Sequence, residues 1–362
     1  MEITGYEIRH FAVPLDRSIG DSQIDPIDNY ELAYLELETD VGLTGIGIDG
    51  VNFGGDVPLL QGYLATQFNP LGEDLCGKAP AALLHRQSRG RGGQYGDSQF
   101  TRMIDFALWD LVAKHHDLPL YELLGASEAH VDAYASGLAF HHDSEATRRI
   151  YQQFADRGFV DAKVKVGFDT IEEDIERLQL VDEVFDGCRR LMADANEAFS
   201  PKEAIRRVRA YADAGFDLYW IEDPATRTDI EGVQRVADAL TDTHLNGGEY
   251  VDLVGKRELL EARAVDILNV HGISSGQAAA TIAHTYGVPL SVGNTPADLG
   301  AHIAAALPEC RFVESSMSSV TDLLSDGIEF NNGQAILPKT PGHGIALDES
   351  VATQYEQQVD AT

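Results

Sequence analysis

The stretch that decides the fold begins with VDAKVKVG at residues 160–167 and continues with LMADANEA at 191–198 and LYWIEDP at 218–224. Each segment is a short apolar run of strand length, and each is followed by a stretch long enough for a helix. The same alternation extends to both sides, in VDAYASG at 131–137, HLNGGEY at 244–250, VDILNVHG at 265–272, VPLSVGN at 288–294 and CRFVESS at 310–316. Eight such strands predict an α/β fold, a modified (β/α)8-type (TIM-like) barrel.

The residues ahead of the barrel follow a different pattern. Residues 30–39 alternate between apolar and polar side chains, and residues 40–45 have the composition of a hairpin turn into a second strand. From about residue 57 to 124 the spacing becomes helical, most clearly over 100–116. This predicts a separate α+β N-terminal domain. A doubly wound open sheet is the alternative to the barrel, but no glycine-rich phosphate-binding sequence follows the first strand.

The charge of the chain is unusual. It has 59 acidic and 27 basic residues, a formal net charge of −32 over 362 residues, while 44% of its residues are hydrophobic. The acids are spread along the chain, which argues against a disordered acidic tail. Such a field repels nucleic acid and anionic membranes, and it indicates a protein from a very salty cytoplasm, where ions screen self-repulsion.

The cysteines and the N-terminus also favour the cytoplasm. Cys76, Cys188 and Cys310 are far apart and form neither a metal-binding spacing nor a disulfide framework. No apolar run approaches the roughly 20 residues of a membrane span, and the first ten residues lack the pattern of a secretory signal. We therefore expect a cytoplasmic protein with no membrane and no nucleic-acid partner.

Five predicted strands end in an ionisable side chain, and successive members are 22 to 29 residues apart, about one β/α unit. They are Lys165, Asp194, Glu222, Glu249 and His271. In a barrel these side chains would ring the C-terminal mouth, where such enzymes carry their chemistry.

Three members of this ring, Asp194, Glu222 and Glu249, are carboxylates. Three negative charges in one pocket repel each other unless a cation lies between them. Oxygen ligands suit Mg²⁺ best, with Mn²⁺ possible. Any one of these acids could be an ordinary surface carboxylate, but three at this spacing, each flanked by apolar strand residues, predict a metal site.

The lysines Lys163 and Lys165 are two residues apart on one strand and therefore point to the same side. Since their strand neighbours are apolar, that side should be the barrel interior or its mouth. One ammonium can then lower the pKa of the other by like-charge repulsion, which makes a usable base. A pair of solvated lysines is the alternative.

His271 follows the sixth strand, across the predicted mouth from the lysines. It is either a participant in the chemistry, with a pKa suited to an acid, or a structural histidine held by Asp266 or a backbone carbonyl.

At these residues the chain resembles the mandelate racemase and muconate lactonizing enzyme branch of the enolase superfamily, over nearly its whole length. The matching motifs are IDFALWD at 104–110, LPLYELLG at 118–125, KVK at 163–165, DANE at 194–197, WIEDP at 220–224, GE at 248–249 and PGHGI at 341–345.

The resemblance implies a layout. Residues 1–128 would form an α+β domain that caps the mouth, residues 129–327 the catalytic barrel, and residues 328–362 a segment that packs back on the capping domain. The loops at 18–29 and 49–55 would be lids over the mouth. The family often assembles from identical subunits, so we also expect a homo-oligomer.

The resemblance also implies roles. Lys165 would act as the base with Lys163 in electrostatic support, Asp194, Glu222 and Glu249 would bind Mg²⁺, and Asn196 and Glu314 would lie beside the substrate. Two positions depart from the racemase pattern. The seventh strand, LSVGN at 290–294, has no catalytic histidine, and His271 stands where the muconate lactonizing type has a lysine.

The expected reaction is Mg²⁺-dependent abstraction of a proton alpha to a carboxylate, giving an enediolate. We favour dehydration of a sugar acid to a 2-keto-3-deoxy acid, because the loops of the capping domain carry polar groups suited to hydroxyl-rich substrates, namely Asp21, Gln23, Asp25, Gln94 and Tyr95. Racemisation, epimerisation and muconate-type cycloisomerisation are alternatives. A carboxylate-binding protein without turnover is the non-enzymatic one.

Overall fold

The computed structural model describes residues 1–50, 57–66, 75–87, 99–316 and 322–358. The N-terminal domain consists of an antiparallel sheet and helices: β1 (Ile3–Ile19), β2 (Ile27–Thr39), β3 (Thr44–Gly50), α1 (Val57–Thr66), α2 (Pro80–Gln87), α3 (Gln99–His115) and α4 (Leu120–Leu123). Helix α3 lies directly on β3. A Cβ at Gly47 would meet the Met103 carbonyl oxygen at 2.1 Å, so only glycine permits this approach.

Eight parallel strands follow: β4 (His130–Ser136), β5 (Asp161–Lys165), β6 (Arg190–Asp194), β7 (Leu218–Glu222), β8 (His244–Gly247), β9 (Ile267–Val270), β10 (Leu290–Val292) and β11 (Cys310–Ser315). Neighbours in sequence are neighbours in the sheet, and β11 pairs with β4 to close the barrel. The predicted fold class, a TIM-like barrel with an α+β N-terminal domain, is therefore confirmed.

Each of the first seven barrel strands leads into a helix: α5 (Ser144–Asp156), α6 (Ile171–Val184), α7 (Pro201–Asp213), α8 (Ile230–Ala239), α9 (Leu253–Glu261), α10 (Ile273–Tyr286), and a 3₁₀ turn (Pro296–Asp298) before α11 (Gly300–Ala306). Side chains that accept hydrogen bonds from the first helical turn fix the start of α5 to α9, namely Asp143, Thr170, Ser200, Asp229 and Asp252.

Large side chains fill the lower barrel interior and form a packed hydrophobic layer beneath the ionisable residues. This cluster comprises Tyr134, Met192, Trp220, Ile267 and Phe312, all at most 2% exposed. The ring of Tyr134 lies 5.5 Å below the ammonium of Lys163, measured from Nζ to the ring centroid. This packed layer leaves the C-terminal mouth as the place for a ligand.

The chain after β11 contacts both domains. Its elements are β12 (Leu324–Asp326), β13 (Glu329–Asn331), β14 (Gln334–Ile336), β15 (Ala346–Leu347), α12 (Glu349–Tyr355) and β16 (Glu356–Gln357). Strand β14 pairs with barrel strand β4, whereas β16 pairs with β1 of the N-terminal domain. Arg9 of β1 also binds Glu349 and Glu356.

Helix α3 ties the N-terminal domain to the barrel. Helix α10 begins after Gly272, which has no side chain to cap it. The Asp105 carboxylate of α3 accepts hydrogen bonds from the backbone N–H groups of Ile273 and Ser274 and supplies the missing cap. Because α10 directly follows His271, this contact fixes the loop that carries the histidine.

Candidate active site

Strand register brings three predicted site residues together. Lys165 pairs with Asp194 across β5 and β6, and Asp194 pairs with Glu222 across β6 and β7. All three are the last residues of their strands, so their side chains meet at the C-terminal edge of the barrel. Glu249 and His271 lie just beyond the ends of β8 and β9, and Glu249 Oε1 is 3.6 Å from His271 Nε2.

A cavity of about 990 Å³ opens above these residues, between the barrel mouth and the N-terminal domain. The predicted site residues on its wall are Lys163, Lys165, Asp194, Asn196, Glu249, His271 and Glu314. Glu222 lies deeper and is fully buried. The volume is that of a typical small-molecule site.

The carboxylates form a cluster whose membership differs from the predicted one. Oxygen atoms of Glu222, Asp223 and Glu249 lie within 4.8 Å of one another. Asp194 is adjacent, but its Oδ2 atom faces the lysines and its Oδ1 atom accepts the backbone N–H of Asn196. The sequence did not identify Asp223, because strand alternation would point it away from Glu222. Its φ of +36° takes it out of the extended conformation.

The electrostatics of this cluster fit a divalent cation. Burial, followed by the charges of Glu249 and Asp194, raises the pKa of Asp223 to about 8. Burial also raises the pKa of Glu222 well above its ordinary value, although Lys163 opposes this effect. The Oδ2 atom of Asp223 is buried and has no hydrogen-bond partner among the described residues. Buried, mutually repelling oxygen ligands with a free lone pair suit Mg²⁺.

Lys163 is bound on several sides. Its Nζ atom lies 3.1 Å from Glu222, 3.0 Å from Glu314 and 3.4 Å from Asp194, and the residue is 2% exposed. Burial opposes the charged form, but the surrounding carboxylates raise the pKa of Lys163 well above its ordinary value. An ammonium held in this way is suited to electrostatic support.

Lys165 lies at the cavity wall. Its Nζ atom is 2.6 Å from Asp194 Oδ2 and 2.7 Å from Asn196 Oδ1. We expected Lys163 to lower the pKa of Lys165. Burial, the largest single effect, and Lys163 do act in that direction, but the carboxylates Asp194, Glu314 and Asp21 together outweigh them and the pKa is raised. The expected effect of Lys163 is present, but the expectation was wrong about the net shift because it left out these carboxylates.

The predicted substrate contacts are already engaged within the protein. Asn196 accepts a hydrogen bond from Lys165. Glu314 binds Lys163 and also accepts hydrogen bonds from the Tyr134 hydroxyl and the Asn294 backbone N–H. Both line the cavity, and both also position the two lysines.

The structural alternative for His271 named Asp266 or a backbone carbonyl as its partner, and the Asp266 side chain is engaged elsewhere. The Asp266 carboxylate instead accepts a hydrogen bond from the backbone N–H of Leu245. A different acid, Asp49 at the end of β3, interacts with His271. Burial raises the pKa of Asp49, and the charges of Arg102 and, more weakly, His271 oppose this shift. Arg102 forms two hydrogen bonds to Asp49, of 2.9 and 2.8 Å. The sequence placed Asp49 at the start of the second predicted lid without relating it to His271, and it did not identify Arg102, because both contacts come from the N-terminal domain.

The first predicted lid lies over the mouth. The Ser22 hydroxyl donates to the carbonyl of Ala195, and the His142 ring contacts the carbonyl of Ser18. Of the polar lid residues, Asp21 and Gln23 line the cavity, whereas Asp25 is exposed outside it. Gln94, Tyr95 and residues 51–55 of the second lid lie outside the described residues.

Family models match most of the chain. Residues 13–125 match the N-terminal domain of mandelate racemase / muconate lactonizing enzymes, and residues 145–351 match the enolase C-terminal domain-like family. The chain therefore belongs to the mandelate racemase / muconate lactonizing enzyme family of the enolase superfamily, as the sequence motifs predicted.

Relatives of known structure or activity agree. A candidate mandelate racemase from Mesorhizobium loti is 38% identical, with a TM-score of 0.91 over 99% of this chain and 95% of the other. L-talarate dehydratase from Polaromonas sp. JS666, solved with Mg and L-glucarate, is 27% identical with a TM-score of 0.83, covering 98% and 97%. 3,6-Anhydro-alpha-L-galactonate cycloisomerase from Streptomyces coelicolor is 27% identical over 93% of this chain and 95% of its own length.

Among the described residues, no helix combines the length and apolar character needed to span a bilayer.

Proposed function

We propose that this protein is a Mg²⁺-dependent enzyme that removes a proton from the carbon next to a substrate carboxylate, with Lys165 as the base. The observation that carries the proposal is the position of Lys165. Its ammonium lies at the cavity wall, in contact with Asp194 and next to the carboxylate cluster. A substrate carboxylate bound at the cluster would bring its α-carbon within reach of this side chain.

The residues that would hold the ion are Asp194, Glu222 and Glu249, with Mn²⁺ as a possible substitute for Mg²⁺. Asp223 adds negative charge at the same point. A bound Mg²⁺ would supply Lewis-acid stabilisation of the charge that develops on the substrate carboxylate. The Mg-bound dehydratase structure among the relatives supports this choice of ion.

Lys165 must release its proton to act as a base. Asp194 now raises the pKa of Lys165, whereas burial and Lys163 lower it. When Asp194 serves as a ligand, its attraction for the ammonium weakens, and the two opposing effects gain weight. The base would thus become active together with metal binding. Lys163, held by Glu222 and Glu314, would stay charged and stabilise the enediolate.

We propose dehydration of a sugar acid as the reaction that follows. His271 faces the cavity from β9, across the barrel from β5, and could protonate a leaving hydroxyl. The remaining wall also carries polar side chains, including Tyr30, Arg102 and Thr295, which suit hydroxyl groups. A dehydratase and a cycloisomerase named for sugar acids among the relatives also support a substrate of this class.

The test is a screen of aldonic and aldaric acids with Mg²⁺, with detection of 2-keto products and of epimers. We expect a 2-keto-3-deoxy acid from at least one sugar acid, with EDTA abolishing the reaction. Epimers without keto acid would contradict dehydration and favour the second candidate, racemisation or epimerisation, for which Lys165 and His271 on opposite sides of the cavity are also suited.

Cycloisomerisation would be recognised by an isomeric product without stereochemical inversion at the α-carbon. A carboxylate-binding protein would bind a sugar acid without exchanging its α-proton for solvent deuterium. Absence of that exchange for every acid that binds would contradict the enzymatic proposal as a whole.

A further inference from the structure

The third proposed metal ligand is attached to the barrel differently from the other two. Asp194 and Glu222 are the last residues of β6 and β7, where backbone pairing with neighbouring strands fixes their positions. Strand β8 ends at Gly247, so Glu249 lies two residues beyond the sheet. Something other than strand pairing must hold its backbone in place.

The peptide unit before Glu249 is held from two sides. Gly248 has a φ of +106°, a conformation that favours glycine. Its N–H donates to the carboxylate of Asp223, and its carbonyl accepts a hydrogen bond of 2.6 Å from Nζ of Lys256. The same Nζ donates to the carbonyl of Val251 at 2.7 Å. One ammonium therefore joins both ends of the turn that presents Glu249.

Lys256 is buried although it lies on one of the helices outside the barrel. Only seven lysines occur among 362 residues, and Lys256 on α9 is 1% exposed. Removing an ammonium from water is unfavourable unless hydrogen bonds replace its hydration, so an apolar residue would fill this helix position at lower free energy. The carbonyl groups of the Glu249 turn supply two of those hydrogen bonds.

We propose that Lys256 is a positioning residue for the metal site: it fixes the turn from Gly248 to Val251 so that the carboxylate of Glu249 points at the ion. This inference rests on the proposed metal-dependent function. Lys256 is not among the residues that line the cavity, and it would act through Glu249. Loss of its ammonium frees two carbonyls and lets the turn relax, so the site should bind the metal less tightly.

The experiment measures Mn²⁺ binding directly, from the loss of the free-ion EPR signal, on the purified full chain. For Lys256→Met we expect a ~10–100-fold weaker Kd, the range found when residues that orient metal ligands are removed. The activity of the same variant should return at high Mg²⁺, so the metal requirement shifts more than kcat.

The matched control is Lys114→Met. Lys114 is partly buried and binds the carbonyl of Thr44 and the carboxylate of Asp110, but it lies on α3 and binds none of the proposed metal ligands. We expect this variant to lose thermal stability and keep the Mn²⁺ affinity of the unmodified chain. A second comparison uses Glu249→Gln, in which adding Lys256→Met should change the Kd little, because both act on the same ligand.

The outcomes separate the two proposals. If the unmodified chain does not bind Mn²⁺, the metal-dependent function is wrong. If it binds and folded Lys256→Met binds equally well, or Lys114→Met weakens binding as much, the positioning role is wrong. Should Lys256→Met fail to fold, Lys256→Gln, whose amide can still donate to one carbonyl, replaces it and must weaken Mn²⁺ binding.

Discussion

The carboxylate of Asp194 lies 2.6 Å from the ammonium of Lys165, measured from Oδ2 to Nζ, at the ends of two paired barrel strands. A proposed metal ligand and the proposed base thus share one ion pair. Since Asp194 raises the pKa of Lys165, whatever draws the carboxylate toward a metal also makes the lysine a better base. In the proposed function, this contact would link metal binding to proton abstraction.

Substitution of the base gives the first prediction. Lys165→Ala should lose ~10²–10⁴-fold in α-proton exchange with deuterated solvent, the usual contribution of a general base. The fold should persist, because the side chain lies at the cavity wall. Lys163→Ala should retain measurable exchange at a lower rate. If Lys165→Ala exchanges normally and Lys163→Ala does not, the two roles are reversed.

The second prediction distinguishes the carboxylates. Glu222→Gln, Glu249→Gln and Asp194→Asn should each abolish Mg²⁺-dependent turnover, because two remaining ligands hold the ion poorly. Asp223→Asn should weaken Mn²⁺ binding less than any of these, since we assign Asp223 to the surroundings of the ion. Calorimetric titration with Mn²⁺ measures the four affinities. A larger loss of Mn²⁺ affinity for Asp223→Asn than for Asp194→Asn would mean that Asp223 is the ligand and that Asp194 belongs to the surroundings of the ion.

The third prediction concerns His271. If it protonates a leaving group, His271→Asn should stop keto-acid formation while Lys165 continues to exchange the α-proton, because only the second half of the reaction is lost. Parallel measurement of product and of deuterium incorporation separates the two rates. Equal loss of both, or loss of neither, would make the histidine structural.

A buried acid outside the carboxylate cluster makes the stability depend on pH. Burial, with a contribution from Glu314, raises the pKa of Asp298 from 3.8 to about 7. The folded state then holds this proton more tightly than the unfolded state. The contribution of Asp298 to the free energy of unfolding is therefore fully present below pH 4 and is lost as the pH rises to 7.

Asp298→Asn removes this titration. Asparagine also tolerates the left-handed backbone at this position, where φ is +56°. The free energy of unfolding of the variant, relative to that of the unmodified chain, should therefore increase between pH 4 and 7. The increase should approach about 4 kcal/mol. Denaturant unfolding at several pH values measures the difference between the two proteins. A difference that does not change with pH would show that Asp298 is ionised normally.

The net charge of −32 leads to the last prediction. The melting temperature should rise as KCl increases from dilute to molar, because screening removes repulsion among the carboxylates. A neutral solute at equal osmolality serves as the control for general solvent effects. A melting temperature that stays flat in KCl would contradict adaptation to high salt.

Much of the architecture could be predicted from local pattern. Short apolar runs at regular spacing indicated the eight strands, and the ionisable residues after them indicated which ends form the mouth. Lys165, Asp194 and Glu222 were placed together because parallel strands in register bring their last residues side by side. Such inferences succeed because they depend on the period of the strand and on chain direction, both of which are written in the sequence.

Other features depend on contacts between distant segments. Asp49, which Arg102 binds, approaches His271 from another domain. Asp223 joins the carboxylates through a backbone turn that strand alternation does not anticipate.

The sequence by itself determined the barrel, the family and the kinds of chemical group at the mouth. Only the tertiary structure decided the charge state that those groups favour. The net pKa shift of Lys165 depends on the 2.6 Å separation from Asp194 as well as on burial and on Lys163. Electrostatic energies vary with distance and local dielectric, and neither quantity is contained in the order of residues along the chain.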